Sequence, residues 1–384
     1  MPADKVLFST VSILIGISIL LSYSLSPYIT ILFHLSEFHF VIRQFSFAML
    51  SIFIMWFLST LDPDKWLKPI GFGLFFGSSV LMLLMLILPE SIVPAIGGAK
   101  RWIKVFGFSL APVEFFKIGF IYFLAWSFSR KMDYHGGRGL KYEWLRFLPY
   151  GVIFTGAIFI IGYEQKDLGQ SMVLTGTMLI LLIFVGSSYK FFLSILALIV
   201  VGIVLLISTA SHRIGRIQSW WSTIQDTVLD LAPSFIEDWL RIPVEVIPYQ
   251  IGHSINAIYN GALFGEGVGN GTFKLGFLSE VHTDFILSGL MEEFGFIGIF
   301  IVVSLFLVVL LRIFKVASRT EDTTIYLFTL GMGLILSIAF LVNAYGISGI
   351  TPIKGISVPF LSYGGSSILG SSIAVGMVLM ASKK

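Results

Sequence analysis

The chain has 384 residues, of which 56% are hydrophobic and only 12% charged, with a mean hydropathy of +0.91. Soluble domains carry about 25% charged residues, so this composition excludes an ordinary soluble enzyme and describes a polytopic membrane protein. A net charge of +3 is too small to imply a nucleic-acid partner, and zero cysteines exclude disulfides, cysteine-ligated zinc and thiol catalysis.

Windows of about 20 apolar residues, the length needed to cross the hydrocarbon core, predict the spans. Ten lie at 6–26, 41–60, 69–88, 112–129, 147–163, 168–186, 190–209, 284–311, 325–345 and 357–380. Their apolar runs are continuous rather than alternating, which predicts helices rather than a closed barrel. The first is longer than the apolar core of a signal peptide and is read as a retained helix. The expected fold class is all-α: one polytopic membrane domain over 1–384 with about ten transmembrane helices. One large outer loop, 210–283, separates helices 7 and 8.

Arg130, Lys131, Arg138, Lys141 and Arg146 crowd one short segment, which the positive-inside rule places in the cytoplasm. Both termini are then cytoplasmic and the 210–283 loop faces outward. That loop opens basic and aromatic (His212, Arg213, Arg216, Trp220, Trp221). It continues through Trp239, Pro243 and Pro248, a mixed stretch suited to an interfacial amphipathic helix, and ends glycine-rich.

The polar residues near the outer ends come next, in chain order. Arg43 stands at the end of the second span, and Lys100, Arg101 and Lys104 follow the third, after Gly97 and Gly98 and beside Trp102. Cations here run against the positive-inside trend and are candidates for holding phosphate; for Arg43 and Lys104 the alternative is snorkelling to headgroups. Glu114 and Lys117, at i and i+3, share a helix face inside a span. They line a cavity or pack helices together. Asp167 opens the sixth span as a cap or as a site residue.

Glu280, His282 and Asp284 place two carboxylates and a histidine at the mouth of the eighth span. Low dielectric and neighbouring acids would raise the pKa of Asp284 and suit it to proton abstraction; a metal-ligand role and a helix cap are the alternatives. Glu292 and Glu293 lie deeper and read as buried structural carboxylates. The segment from Thr351 to Ser367, with Lys354 and Ser362, is dense in Gly, Pro and Ser. At membrane depth this predicts broken backbone around a wet cavity. Carboxylates and cations thus converge on one outer cavity whose natural ligand is an anionic, lipid-linked molecule. P-loop, dinucleotide and zinc-ligand spacings are absent.

Taken in order, these motifs resemble the SEDS family (shape, elongation, division, sporulation), the group of FtsW and RodA, over nearly the whole chain. The signatures are Gly98-Ala99 with Arg101-Trp102-Ile103, Pro112 with Glu114 and Lys117, and Gln165 with Asp167-Leu168-Gly169. They continue with Glu280, His282-Thr283-Asp284-Phe285-Ile286, Glu292-Glu293, and Pro359 with Ser362-Tyr363-Gly364-Gly365-Ser366. The resemblance implies a peptidoglycan glycosyltransferase that polymerises lipid II, an undecaprenyl-pyrophosphate-linked disaccharide peptide, at the outer face of the bacterial inner membrane. It also implies a class B penicillin-binding protein and other divisome membrane proteins as partners, among membrane lipids. The family's essential aspartate matches Asp284, which would deprotonate the 4-hydroxyl of the acceptor sugar. Arg43, Arg101, Lys117 and Lys354 are candidates for the pyrophosphate. Lys100, Trp102, Glu114, Asp167, Glu280, His282 and Ser362 complete the expected substrate site. Mg2+ or Mn2+ would assist by resemblance, with no metal ligands assigned and no organic cofactor.

Lys354 before Gly355 resembles the division branch rather than the elongation branch. Lys166, Gln170, Ser279 and the long 220–248 segment depart from the family pattern. Rival readings are an elongation polymerase, a lipid II flippase, and a scaffold without catalysis. The sequence lacks the inverted repeat that would favour transport.

Overall fold

The computed structural model describes all residues except 1–2, 97, 106, 132–138, 209–210, 231–232 and 244–248. Gly97, Arg138 and Pro248 therefore lie outside the described residues, as do the side chains of Lys131, His212, Arg213 and Arg216. The helices are α1 (Lys5–Leu25), α2 (Pro27–Leu32), α3 (His39–Thr60), α4 (Pro63–Ile87), α5 (Pro112–Lys131), α6 (Leu140–Phe159) and α7 (Leu168–Phe184). They continue with α8 (Tyr189–Ser208), α9 (Ser211–Leu229), α10 (Ser234–Leu240), α11 (Tyr249–Asn260), α12 (Ile286–Arg319), α13 (Thr323–Ile347) and α14 (Gly365–Ala381). Aspartates start several of them: Asp4, Asp62, Asp167 and Asp322 each accept a backbone N–H from the first turn of α1, α4, α7 and α13.

The ten expected spans coincide with α1, α3 to α8 and α12 to α14. Among the described residues, six helical stretches are long and apolar enough to cross a membrane by length and composition: α1, α3, α4, α6 with its π-helical end, α12 and α13. α7, α8 and α14 are apolar but shorter, and α5 carries Glu114 and Lys117. The outward faces of α3, α4 and α8 expose Phe53, Trp56, Phe76, Leu83, Leu198 and Val201. Apolar surface that continuous belongs against lipid.

Several boundaries differ from expectation, α4 among them, which starts at Pro63 rather than 69. The last span begins at Gly365 rather than 357, because Pro352, Pro359 and the glycines leave the preceding stretch without helix. α6 starts at Leu140 and ends in a π-helical turn, Ile160–Glu164. The eighth span runs on to Arg319 but is broken at Gly295 (φ 64°, ψ −164°). A two-stranded hairpin is also present, β1 (Ile103–Val105) paired antiparallel with β2 (Phe108–Leu110). Its turn uses Gly107 at φ 82°.

The loop predicted as 210–283 contains α9, α10 and α11, then turns down onto α12. The break at Gly295 frees backbone groups that this segment satisfies. Glu266 and Gly267 donate N–H to the carbonyls of Glu292 and Glu293, while Phe296 and Ile297 donate to the carbonyls of Ala262 and Leu263. Close approach requires glycine here, since a Cβ on Gly265 would lie 2.3 Å from the Glu293 carbonyl oxygen.

α13 runs through the middle of the bundle and packs on α5, α7, α12 and α14; α14 also packs on α3, and α1 on α12. Phe120, Phe306, Phe328 and Phe360 are fully buried in the single large core between them. At one end, Arg312 pairs with Asp4 at 2.6 Å and Lys384 with Asp64 at 2.6 Å, so the two termini share that end. The opposite end holds the starts of α5, α7, α12 and α14, and with them the polar residues of interest.

Candidate functional site

Asp284 lies in the turn that enters α12. The N-cap position belongs to Phe285, with no side chain capping the helix, so the capping alternative for Asp284 drops out. The backbone of Asp284 is fixed from across the bundle. Asn343 on α13 donates Nδ2 to the Asp284 carbonyl (2.6 Å) and to the Ile356 carbonyl (2.7 Å). The irregular stretch between α13 and α14 is thereby drawn against the turn. Asp284, Asn343, Gly346, Ile353, Lys354 and Gly355 line a narrow cleft between them.

Burial pushes the Asp284 carboxyl up to about 7. The negative charges of Glu280 and Asp167 push the same way, and the Arg101 guanidinium partly opposes them. Glu280 itself is exposed and accepts the Thr283 hydroxyl at 2.8 Å. His282 is buried against Phe40 and Tyr363, with ring centroids 5.2 and 5.5 Å away. Burial lowers its pKa, so the imidazole is neutral near pH 7. Ser362 is a strut: its hydroxyl donates to the Thr283 carbonyl (2.7 Å) and accepts from Val358 N–H (2.7 Å).

Arg101 spends two donors on the loop before α7, Nε on the Gln165 carbonyl (2.8 Å) and Nη2 on the Lys166 carbonyl (2.7 Å). Lys166 there holds φ 51°, unusual for a residue with a side chain. Asp167 both caps α7, through Gln170 N–H at 3.1 Å, and faces the site. Burial raises its pKa and Arg101 lowers it. The cap reading of Asp167 holds, and its charge also acts on Asp284. Glu114 pairs with Lys117 at 2.9 Å, and Gln170 Nε2 donates to Glu114 at 2.8 Å, joining α5 to α7. Lys117 is buried, so it serves the bundle interior rather than an open surface.

The remaining expected residues lie farther out. Arg43 donates to the Gly107 carbonyl, lies over the Phe108 ring at 5.5 Å and approaches Tyr363. It reaches the site through the Tyr363–His282 contact. Lys100 donates to the Leu88 carbonyl at 3.4 Å, toward the end of α4, and Trp102 packs on the core. Arg101 is thus the member of the 100–104 cluster whose charge acts on Asp284.

Glu292 and Glu293 are buried structural carboxylates. Glu292 Oε1 accepts N–H from Thr272 (2.6 Å) and Phe273 (3.0 Å); Glu293 accepts from Lys274 (2.6 Å) and Ser24 (2.5 Å). Sequence reasoning missed Asn343, Gly355 and Lys274. An asparagine in an apolar helix is the signal that would have found Asn343, since intramembrane polar groups are rarely idle. The residues do not build a cage for Mg2+ or Mn2+: among the described residues, no three His, Asp or Glu side chains are grouped to hold an ion.

The sequence profile of the FtsW/RodA/SpoVE family, described as cell cycle protein, matches residues 4–384. A relative from Helicobacter pylori (strain ATCC 700392 / 26695), named "Probable peptidoglycan glycosyltransferase FtsW", is 46% identical over 99% of this chain and 98% of its own. One of the same name from Geobacter sp. (strain M18) is 31% identical over 99% of this chain and 97% of its own. Among solved structures, a chain of a peptidoglycan synthase complex that coordinates polymerization and crosslinking matches with TM-score 0.73 and 20% identity. It covers 100% of this chain and 98% of that one. The rod shape determining protein RodA of Thermus thermophilus matches with TM-score 0.66 and 20% identity, over 100% of this chain and 97% of that one. The fold is shared with both, and the chain belongs to the FtsW/RodA/SpoVE family of cell cycle proteins.

Proposed function

We propose that the protein is a peptidoglycan glycosyltransferase that polymerises lipid II during septal wall synthesis. The carrying observation is Asp284, a carboxyl raised to about 7 at the membrane mouth, with Arg101 acting on it and Lys354 lining the same cleft. A group that titrates there is ionised often enough to take a proton and basic enough to hold it.

In this reading Asp284 removes the proton from the 4-hydroxyl of the acceptor sugar. The oxygen forms its bond to the anomeric carbon of the donor as the bond to pyrophosphate breaks. Undecaprenyl pyrophosphate leaves with the electron pair, and the proton remains on Asp284 until it passes to water. Arg101 and Lys354 meet the charge that develops on the phosphate, with Arg43 and Lys117 as the outer and inner supports. Glu280 and His282 position the turn. Any Mg2+ or Mn2+ would be held by the pyrophosphate of the substrate and would help neutralise its charge. Lys100 and Trp102 anchor the segment that carries Arg101.

The active site faces the periplasm and the termini face the cytoplasm, in keeping with the basic 130–146 segment. A class B penicillin-binding protein is the proposed partner, alongside other divisome proteins. The test is polymerisation of purified lipid II by the protein with that partner. Asp284→Asn should make no glycan strands while remaining folded. Equal yields from both proteins would remove Asp284 as the base, and lipid II scrambling without strands would point to transport.

A further inference from the structure

The Asn343 amide has one orientation. Nδ2 donates to two carbonyl oxygens, those of Asp284 (2.6 Å) and Ile356 (2.7 Å). Turning the amide over would set Oδ1 against both carbonyls, oxygen to oxygen, which fixes the assignment. Oδ1 must then occupy the other edge of the amide. There it is buried without a partner among the described residues, and the residue as a whole is only 5% exposed. Buried acceptors are rarely left unpaired, and one left so beside a reactive group marks a ligand position.

The cleft that Asn343 lines with Asp284 and Lys354 has a volume of about 10 Å³, room for one water-sized group. It admits a pendant O–H or N–H rather than a sugar ring. Asn343 lines this cleft, and its unpartnered edge is an acceptor, so a group that reaches that edge must be a donor. A phosphate oxygen, which only accepts, is refused by the same edge. The side of the reaction follows from Asp284: the sugar that presents its hydroxyl to the base is the acceptor.

We infer that Asn343 Oδ1 is a substrate-binding atom that accepts a hydrogen bond from an O–H or N–H of the acceptor sugar, next to the hydroxyl that Asp284 deprotonates. The inference rests on the glycosyltransferase reading above. Asn343 then has two tasks on its two edges. Nδ2 ties the Asp284 turn to the segment carrying Lys354, and Oδ1 registers the sugar against both.

The test crosses enzyme variants with acceptor analogues. Lipid II acceptors lacking the 3-hydroxyl, lacking the 6-hydroxyl, or with the acetamido N–H replaced by oxygen are each given to wild type and to Asn343→Ser. Serine keeps a donor for one carbonyl and withdraws the amide oxygen. One analogue should lower wild-type kcat/KM roughly 10-fold, the scale of one neutral hydrogen bond, and lower that of Asn343→Ser no further. Losses that multiply for all three analogues would assign Asn343 to structure alone and overturn the inference. Should Asn343→Ser not fold, Asn343→Thr is put through the same cycle. Wild type that makes no glycan at all defeats the glycosyltransferase reading and this inference with it. Wild type that polymerises with multiplying losses defeats this inference only.

Discussion

Gly355 and the Asp284 carboxylate are in closer contact than any side chain would permit. A Cβ on Gly355 would lie 2.9 Å from Asp284 Oδ2, and the residue holds φ 62°. Both facts demand glycine: the first for space, the second because other residues rarely adopt that conformation. Gly355→Ala should therefore displace Asp284 or the Lys354 backbone. A shift of about 1 Å at a reacting group can cost on the order of 100-fold in rate. Lipid II polymerisation by Gly355→Ala is expected to fall by that order, with unchanged helix content by circular dichroism. Wild-type rates from the variant would show that the cleft plays no part in turnover.

The pH dependence of polymerisation follows from the same carboxyl. Asp284 works as the ionised form, so activity should rise with pH through about 7, the value to which burial and Glu280 push it. Arg101 opposes that shift, so Arg101→Ala moves the rising limb to higher pH besides lowering the rate. Glu280 adds to it, so Glu280→Gln moves the limb lower. Single-turnover rates between pH 5 and 9 check this. Limbs that stay in place for both variants would mean that another group controls the profile.

Stability should move opposite to activity. A carboxyl whose folded pKa is about 7, above an unfolded value of about 3.9, favours folding in its protonated form. That contribution is fully present below pH 3.9 and is lost as pH rises through 7. Above pH 7 the wild type therefore carries an ionised buried group that Asp284→Asn lacks. The variant should melt at higher temperature than wild type at pH 8, with the gain shrinking as pH falls toward 4. Each kcal/mol is worth about 2–4 °C in a chain of roughly 150–250 residues, and less in a longer one. A pH-independent gap would contradict the assigned shift.

Hydropathy made the helices legible, because lipid imposes the same demand on every span. Asp284, Glu114, Lys117 and Asp167 were legible for the complementary reason: ionised groups are costly at membrane depth and stand out. What remained hidden depends on distant partners. The 100–104 cations form one run in sequence, yet Arg101 turns to the loop before α7 while Lys100 turns to α4. The break at Gly295 has no proline to announce it and exists because residues 261–267 supply the missing backbone partners. Thr351 to Ser367 was readable as broken backbone, but its contact with Asp284 runs through Asn343, which hydropathy treats as a minor dent in an apolar run.

Lys274 gives the last prediction, at the seam between the loop and α12. Its ammonium sits 2.6 Å from Glu293, both side chains are almost wholly enclosed, and it donates also to the Ser24 carbonyl at 3.0 Å. Removing one member of such a pair leaves the other as an uncompensated buried charge, at a cost of about 3–5 kcal/mol. Lys274→Met should accordingly lower the melting temperature in detergent sharply. Adding Glu293→Gln should recover much of the loss, because the stranded charge disappears with it. The seam lies apart from the groups that set the Asp284 pKa, so the rising limb of the pH profile should stay near 7 in whatever folded protein remains. If Lys274→Met melts like wild type, the pair is not what pins the loop. If the limb moves, Lys274 acts on the chemistry itself and not only on the scaffold that carries Asp284.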